Sequence, residues 1–266
     1  FEGLKRLALF DKNGREIQRL FIAISGNVSA MFVKSDDPAS HGREWVESSP
    51  NHTNAAKGSL SMYASDGKAI YDGKLSQIKG RGNSTWGLAK KPYQIKLDKK
   101  TDLLQSGVKD NKAKTWVLLS DGFDDSSSRS AIAYKYAQLL GVKSAVEFSY
   151  VDLFYDGEYR GTYLLSEKVQ VNKGRVDIEN LEDKNTDLNP DIESATIVEG
   201  KNSYGLAMRY AKGVKSPEDI TGGYLIEHEV SESRYMQEYA WFSVSTKTGL
   251  QHFVCKSPEI WSFAEA

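Results

Sequence analysis

Hydrophobic and polar positions alternate with period two over much of this chain, and one stretch switches to helical period. Residues 4 to 10 and 20 to 33 read as strands, with Asp11-Lys12-Asn13-Gly14 as the turn between them. Residues 34 to 58 are polar and rich in turn formers, which predicts a long loop or insertion. Ser59 to Tyr63 and Ala69 to Tyr71 flank Ser65-Asp66-Gly67, a hairpin signal. A further strand runs into Gln77-Ile78-Lys79-Gly80. The loop Arg81 to Ala89 and a strand at Pro92 to Leu97 follow. Trp116 to Ser120 is a short apolar run, as expected of a buried strand.

The helix is expected from about Asp125 and Ser126, where serines suit the N-cap and Asp124-Asp125 suits the positive end of the helix dipole. Ile132, Ala133, Tyr136, Ala137, Leu139 and Leu140 recur on one face, which predicts that this face packs on the core. Gly141 supplies the stop. Asp156-Gly157, between Val151–Tyr155 and Tyr159–Leu165, is a strong hairpin turn, since both positions tolerate positive φ. Residues 182 to 216 are polar and carry few cues. Gly223 to Glu227 and Phe253 to Lys256 read as strands, and Ser257-Pro258-Glu259 as the start of a helix. The sum is an α+β chain: a twisted, mostly antiparallel sheet with few helices.

Composition narrows the function classes. With 35 basic and 36 acidic residues the net charge is −1, which gives no general attraction to nucleic acid or anionic membranes. No apolar run approaches the roughly 20 residues of a transmembrane helix, and the opening FEGLKRLALF lacks a signal-peptide layout. One cysteine, Cys255, excludes an internal disulfide framework. His41, His52, His228 and His252 form no local ligand pair. His228-Glu229 lacks the second histidine of a zinc-protease motif, so both read as exposed strand-end residues.

Candidate chemistry centres on Ile78 to Leu97, IKGRGNSTWGLAKKPYQIKL. Its glycines allow tight turning and close approach of backbone to a ligand, and exposed N–H groups there can form an anion nest. Arg81 can grip a phosphate with two parallel hydrogen bonds. Alternation places Tyr93, Ile95 and Leu97 on one face and Gln94 and Lys96 on the other. Lys96 would resemble a phosphate-pairing strand lysine if its face lines a cleft. An ordinary polar turn, with Lys96 in water, fits the same residues. Trp86 has two readings as well: stacking on a base or sugar, or packing under the loop.

IKGRGNSTW followed by KKPYQIKL resembles the signature of the CotH kinase-like family, related to the spore coat protein H. TWVLLSDGFDDSSSRSAIAYKYAQLLG, VDLFYDGEYRGTYLLSEKVQV, GGYLIE and HFVCKSPE continue the likeness in order. The resemblance implies the amino-terminal portion of an atypical protein kinase that uses ATP and Mg²⁺ to phosphorylate Ser or Thr on secreted, surface or spore coat proteins of bacteria. It implies leading strands and a loop over 1–58 and a kinase-like domain over 59–266, cut short at its carboxyl end. Arg81, Gly82, Asn83, Ser84, Thr85 and Trp86 would cover the nucleotide phosphates. Lys96, with Lys90 or Lys91 as alternatives, would neutralise them. Leu165 and Glu167, within Leu164 to Lys168, would sit near the adenine. Asp124, Asp125 and Arg129 would tie the helix to the loop, or simply cap and anchor it. A Trp-Asp-Phe-Asp-like segment is absent, and Asn185-Thr186-Asp187 and Asn189-Pro190-Asp191 read as loop residues, so no catalytic or metal-binding residue is assigned. The alternative is a non-catalytic cell-surface or carbohydrate-associated module, with Trp45, Trp241 and Trp261 stacking on sugars if exposed.

Overall fold

The computed structural model describes residues 4–23, 28–107 and 111–266. The chain divides into two compact units, Phe1–Lys168 and Val169–Ala266. The first opens with a hairpin of β1 (Leu4–Phe10) and β2 (Glu16–Ala23), joined by the expected turn, in which Gly14 has a φ of 77°. The run expected as one strand over 20 to 33 is two elements, and residues 24–27 within it lie outside the described residues.

Seven strands then close a barrel: β3 (Ser29–Ser35), β4 (Ala55–Tyr63), β5 (Ala69–Gly80), β6 (Tyr93–Thr101), β7 (Ala113–Leu119), β8 (Phe148–Tyr155) and β9 (Glu158–Glu167). Their order around it is β3-β4-β5-β6-β7-β9-β8. Every pairing is antiparallel except the seam, where β3 runs parallel to β8. The twisted, mostly antiparallel sheet expected from the sequence closes on itself here, which leaves no unpaired edge. Across the seam, Phe32 stacks on Phe154 with ring centroids 4.9 Å apart, and Phe154 meets Tyr159 at 5.0 Å. The expected alternation holds on β6: Tyr93, Ile95 and Leu97 are buried in the core with Leu60, Trp116 and Leu165, while Lys96 is exposed. At the β8–β9 turn Asp156 and Gly157 have φ of 50° and 83°, as that tight turn requires.

Residues 34 to 58 correct the expectation of a loop. They finish β3, form the short helices α1 (Pro38–His41) and α2 (Arg43–Glu47), and begin β4. Val46 is fully buried with the barrel core. The Glu47 carboxylate accepts hydrogen bonds from Tyr93 Oη, from Arg43 Nη1 at 2.8 Å and from Arg160 Nη2 at 3.3 Å. Glu158 receives Arg43 and Arg160 at 2.6 and 2.7 Å. Asp156 accepts the backbone N–H groups of Ser35 and Arg43. This polar network ties α2 to the barrel strands.

Helix α3 (Arg129–Leu139) starts later than expected, because Asp124 and the serines form a turn ahead of it. It ends as expected: Gly141 N–H reaches Gln138 O and Val142 N–H reaches Ala137 O, with Gly141 at a φ of 71°. Its apolar stripe faces the other way from the expectation. Ile132, Tyr136, Leu139 and Leu140 are 62 to 74% exposed, and Ala131 is its one buried residue. The barrel-facing contacts come from Ala131, Tyr134 and Gln138, with Tyr134 against Phe148 at 5.8 Å and Gln138 donating to Val146 O.

The second unit holds an antiparallel sheet ordered β10-β11-β13-β14-β12, from β10 (Thr196–Lys201), β11 (Ala207–Lys212), β12 (Leu225–His228), β13 (Trp241–Thr246) and β14 (Gly249–Ser257). Residues 182 to 216, which gave few cues, form most of α4 (Leu181–Leu188) and then β10 and β11. Asn185-Thr186-Asp187 is therefore helical, a correction to the loop reading, and Asn185 is fully buried with its Nδ2 on Glu265. A short helix α5 (Glu232–Tyr235) follows β12. No helix begins at Ser257-Pro258-Glu259. Trp261 instead pins that segment to β11, donating its indole N–H to Arg209 O and accepting Ala211 N–H on its carbonyl.

Leu60→Ala, at a fully buried barrel position, should cost about 2–5 kcal/mol in chemical unfolding. Leu139→Ser should stay within about 0.5 kcal/mol of wild type. A large loss for Leu139→Ser would return the α3 stripe to the core.

Candidate functional site

The loop after β5 is built on a buried tryptophan. Trp86 sits in a 3-10 turn, Ser84–Gly87, and is 6% exposed. Its indole N–H donates to Ser49 O at 2.9 Å, and its ring meets His52 edge-on at 4.9 Å. Of the two readings for Trp86, packing under the loop is the one observed. Gly80 makes this possible: a Cβ there would lie 2.3 Å from the Trp86 ring. Gly82 has a φ of 84°, and the Trp86 N–H closes the turn on Asn83 O. Asn83 and Ser84 are exposed.

The two lysines after the turn have structural partners. Lys91 Nζ donates to Trp86 O and lies 5.2 Å from the Trp86 ring centroid. Lys90 Nζ donates to Thr162 O and lies 4.6 Å from the Tyr163 ring centroid.

The charged side chain of the loop is Arg81. Its backbone continues the strand pairing, with its N–H on Pro92 O. Its guanidinium makes no hydrogen bond or ion pair among the described residues, and burial lowers its pKa from the ordinary value, opposed by the nearby Tyr134 phenol. His52 is likewise pushed down, by burial first and then by Lys79 and Arg81.

Arg81 and Thr85 line a recess of about 350 Å³. Its other wall is the segment after β7, with Ser120, Asp121, Gly122, Phe123 and Asp124, together with Arg129 and Ser130 from the first turn of α3. Leu88 locks the two walls together, since a Cβ on Gly122 would lie 2.5 Å from its Cδ1.

Asp124 works as a cap. Its carboxylate accepts the N–H groups of Ser126, Ser128 and Arg129 at 3.1, 3.0 and 2.8 Å, and lies 3.6 Å from Arg129 Nε. These bonds, led by that of the Ser126 hydroxyl, hold its pKa down to about 2. Asp121 has a φ of 48° and accepts the Ser130 hydroxyl on Oδ1 at 2.9 Å. Its Oδ2 has no hydrogen-bond partner among the described residues. The Ser120 hydroxyl is buried and has none either.

The structure therefore brings Arg81, Thr85, Asp124 and Arg129 together. Gly82, Asn83, Ser84 and Trp86 form the loop that carries two of them. Asp125 is exposed and outside the recess lining. Lys96 is also outside it, on the outer face of β6. Leu165 lies in the barrel core, and Glu167 accepts the Glu147 N–H at 3.1 Å. Ser120, Asp121 and Ser130 were not singled out in the sequence; the one signal for them is that SDG follows a buried strand and precedes the helix cap.

Other candidates fare differently. His228 is exposed and meets Gln251 at 2.8 Å, whereas Glu229, expected to be exposed, is buried and paired with Arg234 at 3.1 Å. Trp241 and Trp261 are buried and Trp45 packs partly against the barrel core, so they form no sugar-stacking platform. Burial pushes the Cys255 thiol up to about 12, which keeps it protonated and inert at neutral pH. No group of three or more His, Cys, Asp or Glu side chains suited to a metal occurs among the described residues.

One variant and one titration test this geometry. Gly80→Ala should displace Trp86 and cost about 1–3 kcal/mol or more in unfolding experiments. For Asp124, a folded pKa below the ordinary 3.8 means its capping contribution is present above that value and fades as pH falls through about 2. Acid titration of the Arg129 amide by NMR should show that low midpoint, and a midpoint near the ordinary value would remove the cap.

Comparison with known proteins places this loop and recess in context. The CotH kinase protein family matches residues 78–221, from the end of β5 through the loop, both recess walls and on into the second unit. No curated protein matches the chain. Since the family match spans more than half of the 266 residues, this chain belongs to the CotH kinase protein family, and the recess beside Trp86 lies in its kinase-like domain.

Proposed function

We propose that this kinase-like domain binds ATP with Mg²⁺ and serves a protein kinase that phosphorylates Ser or Thr on secreted, surface or spore coat proteins of a bacterium. In this reading the barrel is the counterpart of a kinase amino-terminal lobe. The γ-phosphoryl group passes from ATP to a protein hydroxyl, leaving ADP and a proton.

The observation that carries the reading is the Arg81 guanidinium, partly desolvated and without a counter-ion, in a recess made by the RGNSTW loop. A guanidinium stays charged under such burial, and its flat array of donors matches phosphate oxygens. Thr85 and Arg129 add donors on the same recess. Asp124 brings little repulsion, because helix N–H groups already surround its charge.

The recess also suits Mg²⁺. The ion prefers hard oxygen ligands and is held by one or two carboxylates together with phosphate oxygens and water. Asp121 would hold it through the free Oδ2, and the ion would neutralise phosphate charge. The expected location of this protein, secreted or at the cell or spore surface, rests on the family alone. No helix among the described residues is long and apolar enough to cross a membrane.

Isothermal titration of ATP·Mg²⁺ into the chain should give saturable binding. Arg81→Ala should weaken it about 10- to 100-fold, the loss of a charge-assisted hydrogen bond. Lys96→Ala should change it by less than about twofold, since an exposed lysine away from the recess contributes only through screened charge. Unaltered affinity in Arg81→Ala, or no binding by a well-folded chain, would overturn the reading.

A further inference from the structure

The recess contains a second unsatisfied group on the wall opposite the loop. Ser120 follows β7 directly, where Trp116, Val117 and Leu118 are buried. It is 3% exposed, and its hydroxyl is sealed from water without a hydrogen-bond partner. Buried hydroxyls nearly always have partners, because an unpaired one is a net cost to the fold. An orphaned buried hydroxyl calls for a partner, and a ligand in the recess that Ser120 lines can supply one.

The identity of the ligand group follows from what the two orphans share. Arg81 has only donors, while Ser120 can donate or accept. One group satisfies both if it presents several acceptor oxygens in a small volume. A phosphate does so, and a neutral ligand with a single acceptor does not. The carboxylates nearby do not fill this role: Asp124 is spent on the α3 cap, Asp121 Oδ1 accepts Ser130, and Asp121 Oδ2 leaves Ser120 unpaired.

We propose that Ser120 is a phosphate-binding residue: its hydroxyl, enclosed in the ligand-free protein, turns about χ1 to donate to an oxygen of the phosphate group that Arg81 holds from the other wall. This rests on reading the recess as a phosphate site and adds a residue to it. The two walls then form a clamp. The loop supplies charge through Arg81, and the end of β7 supplies a neutral donor from a rigid, buried strand terminus.

The test uses Ser120→Ala, Arg81→Ala and wild type, each titrated with ATP·Mg²⁺ and with inorganic pyrophosphate·Mg²⁺, and each melted without ligand. Ser120→Ala should raise the Kd for both ligands about tenfold, in line with loss of one hydrogen bond to a charged group. Its ligand-free Tm should equal or exceed that of wild type, because the hydroxyl is unpaired until a ligand arrives. If Arg81→Ala loses affinity while Ser120→Ala keeps it, the Ser120 assignment falls and the nucleotide reading stands. If Ser120→Ala weakens pyrophosphate but wild type prefers ATP no more than pyrophosphate, the assignment stands and the nucleotide reading falls. A clearly lower ligand-free Tm in Ser120→Ala would show that the hydroxyl has an internal partner and overturn the assignment. No binding of either ligand by folded wild type would overturn both.

Discussion

The site in this protein hangs on the burial of one indole ring. Trp86 lies against Gly80, and its N–H is spent on the Ser49 carbonyl. The loop that carries Arg81 cannot lift away without exposing that ring and orphaning that carbonyl, and each is costly. Lys91 reinforces the arrangement by donating to the Trp86 carbonyl. Arg81 is thereby held at the recess, partly buried and without a counter-ion among the described residues, by the apolar burial of its neighbour five residues on.

The partner that makes this possible comes from a distant part of the chain. Ser49 follows α2, and α2 is fixed to the barrel by Val46 and by Glu47. Glu47 is surrounded by Tyr93 and two arginines. Buried ionic groups of this kind add little net stability compared with apolar packing, but removing one partner strands the others. Their effect here is positional. They fix where α2 docks, hence where the Ser49 carbonyl points, hence where the loop sits.

Much of the barrel was legible in the sequence because its strands obey simple rules. Tyr93, Ile95 and Leu97 alternate with Gln94 and Lys96, and Asp156-Gly157 has the residues that its turn demands. Closure of the barrel was not legible, since the parallel pairing of β3 with β8 joins segments more than a hundred residues apart and leaves no local mark. Residues 34 to 58 misled because α2 is one turn long and buries a single residue, too little to set up a period. β10 and β11 were missed for a related reason: β10 buries no residue fully and β11 only Met208 and Ala211, too few to set up an alternation. At the site, Arg81 and Thr85 stood out by residue type, while Asp124 and Arg129 were drawn in by the family resemblance. Ser120 and Asp121 became visible only as unpaired atoms, a property that exists in three dimensions alone.

Helix α3 shows why a correct period can still assign the wrong face. Ile132, Tyr136, Leu139 and Leu140 are spaced as a helical stripe, yet the barrel takes the opposite side, through Ala131, Tyr134 and Gln138. Small and polar residues hold the helix here: Asp124 caps its first turn, Ser130 bonds Asp121, and Gln138 reaches Val146. Hydrogen bonds at partly exposed positions hold less firmly than a buried apolar face, so α3 should open more easily than the strands beneath it. Arg129 and Ser130, in its first turn, line the recess. One wall of the recess, carrying Ser120, is therefore continuous with the buried barrel, and the other part of that wall belongs to a helix anchored mainly at its ends. A ligand that bridges Arg81 and Ser120 would meet a firm surface on both sides, whereas the reach of Arg129 would depend on how α3 is held.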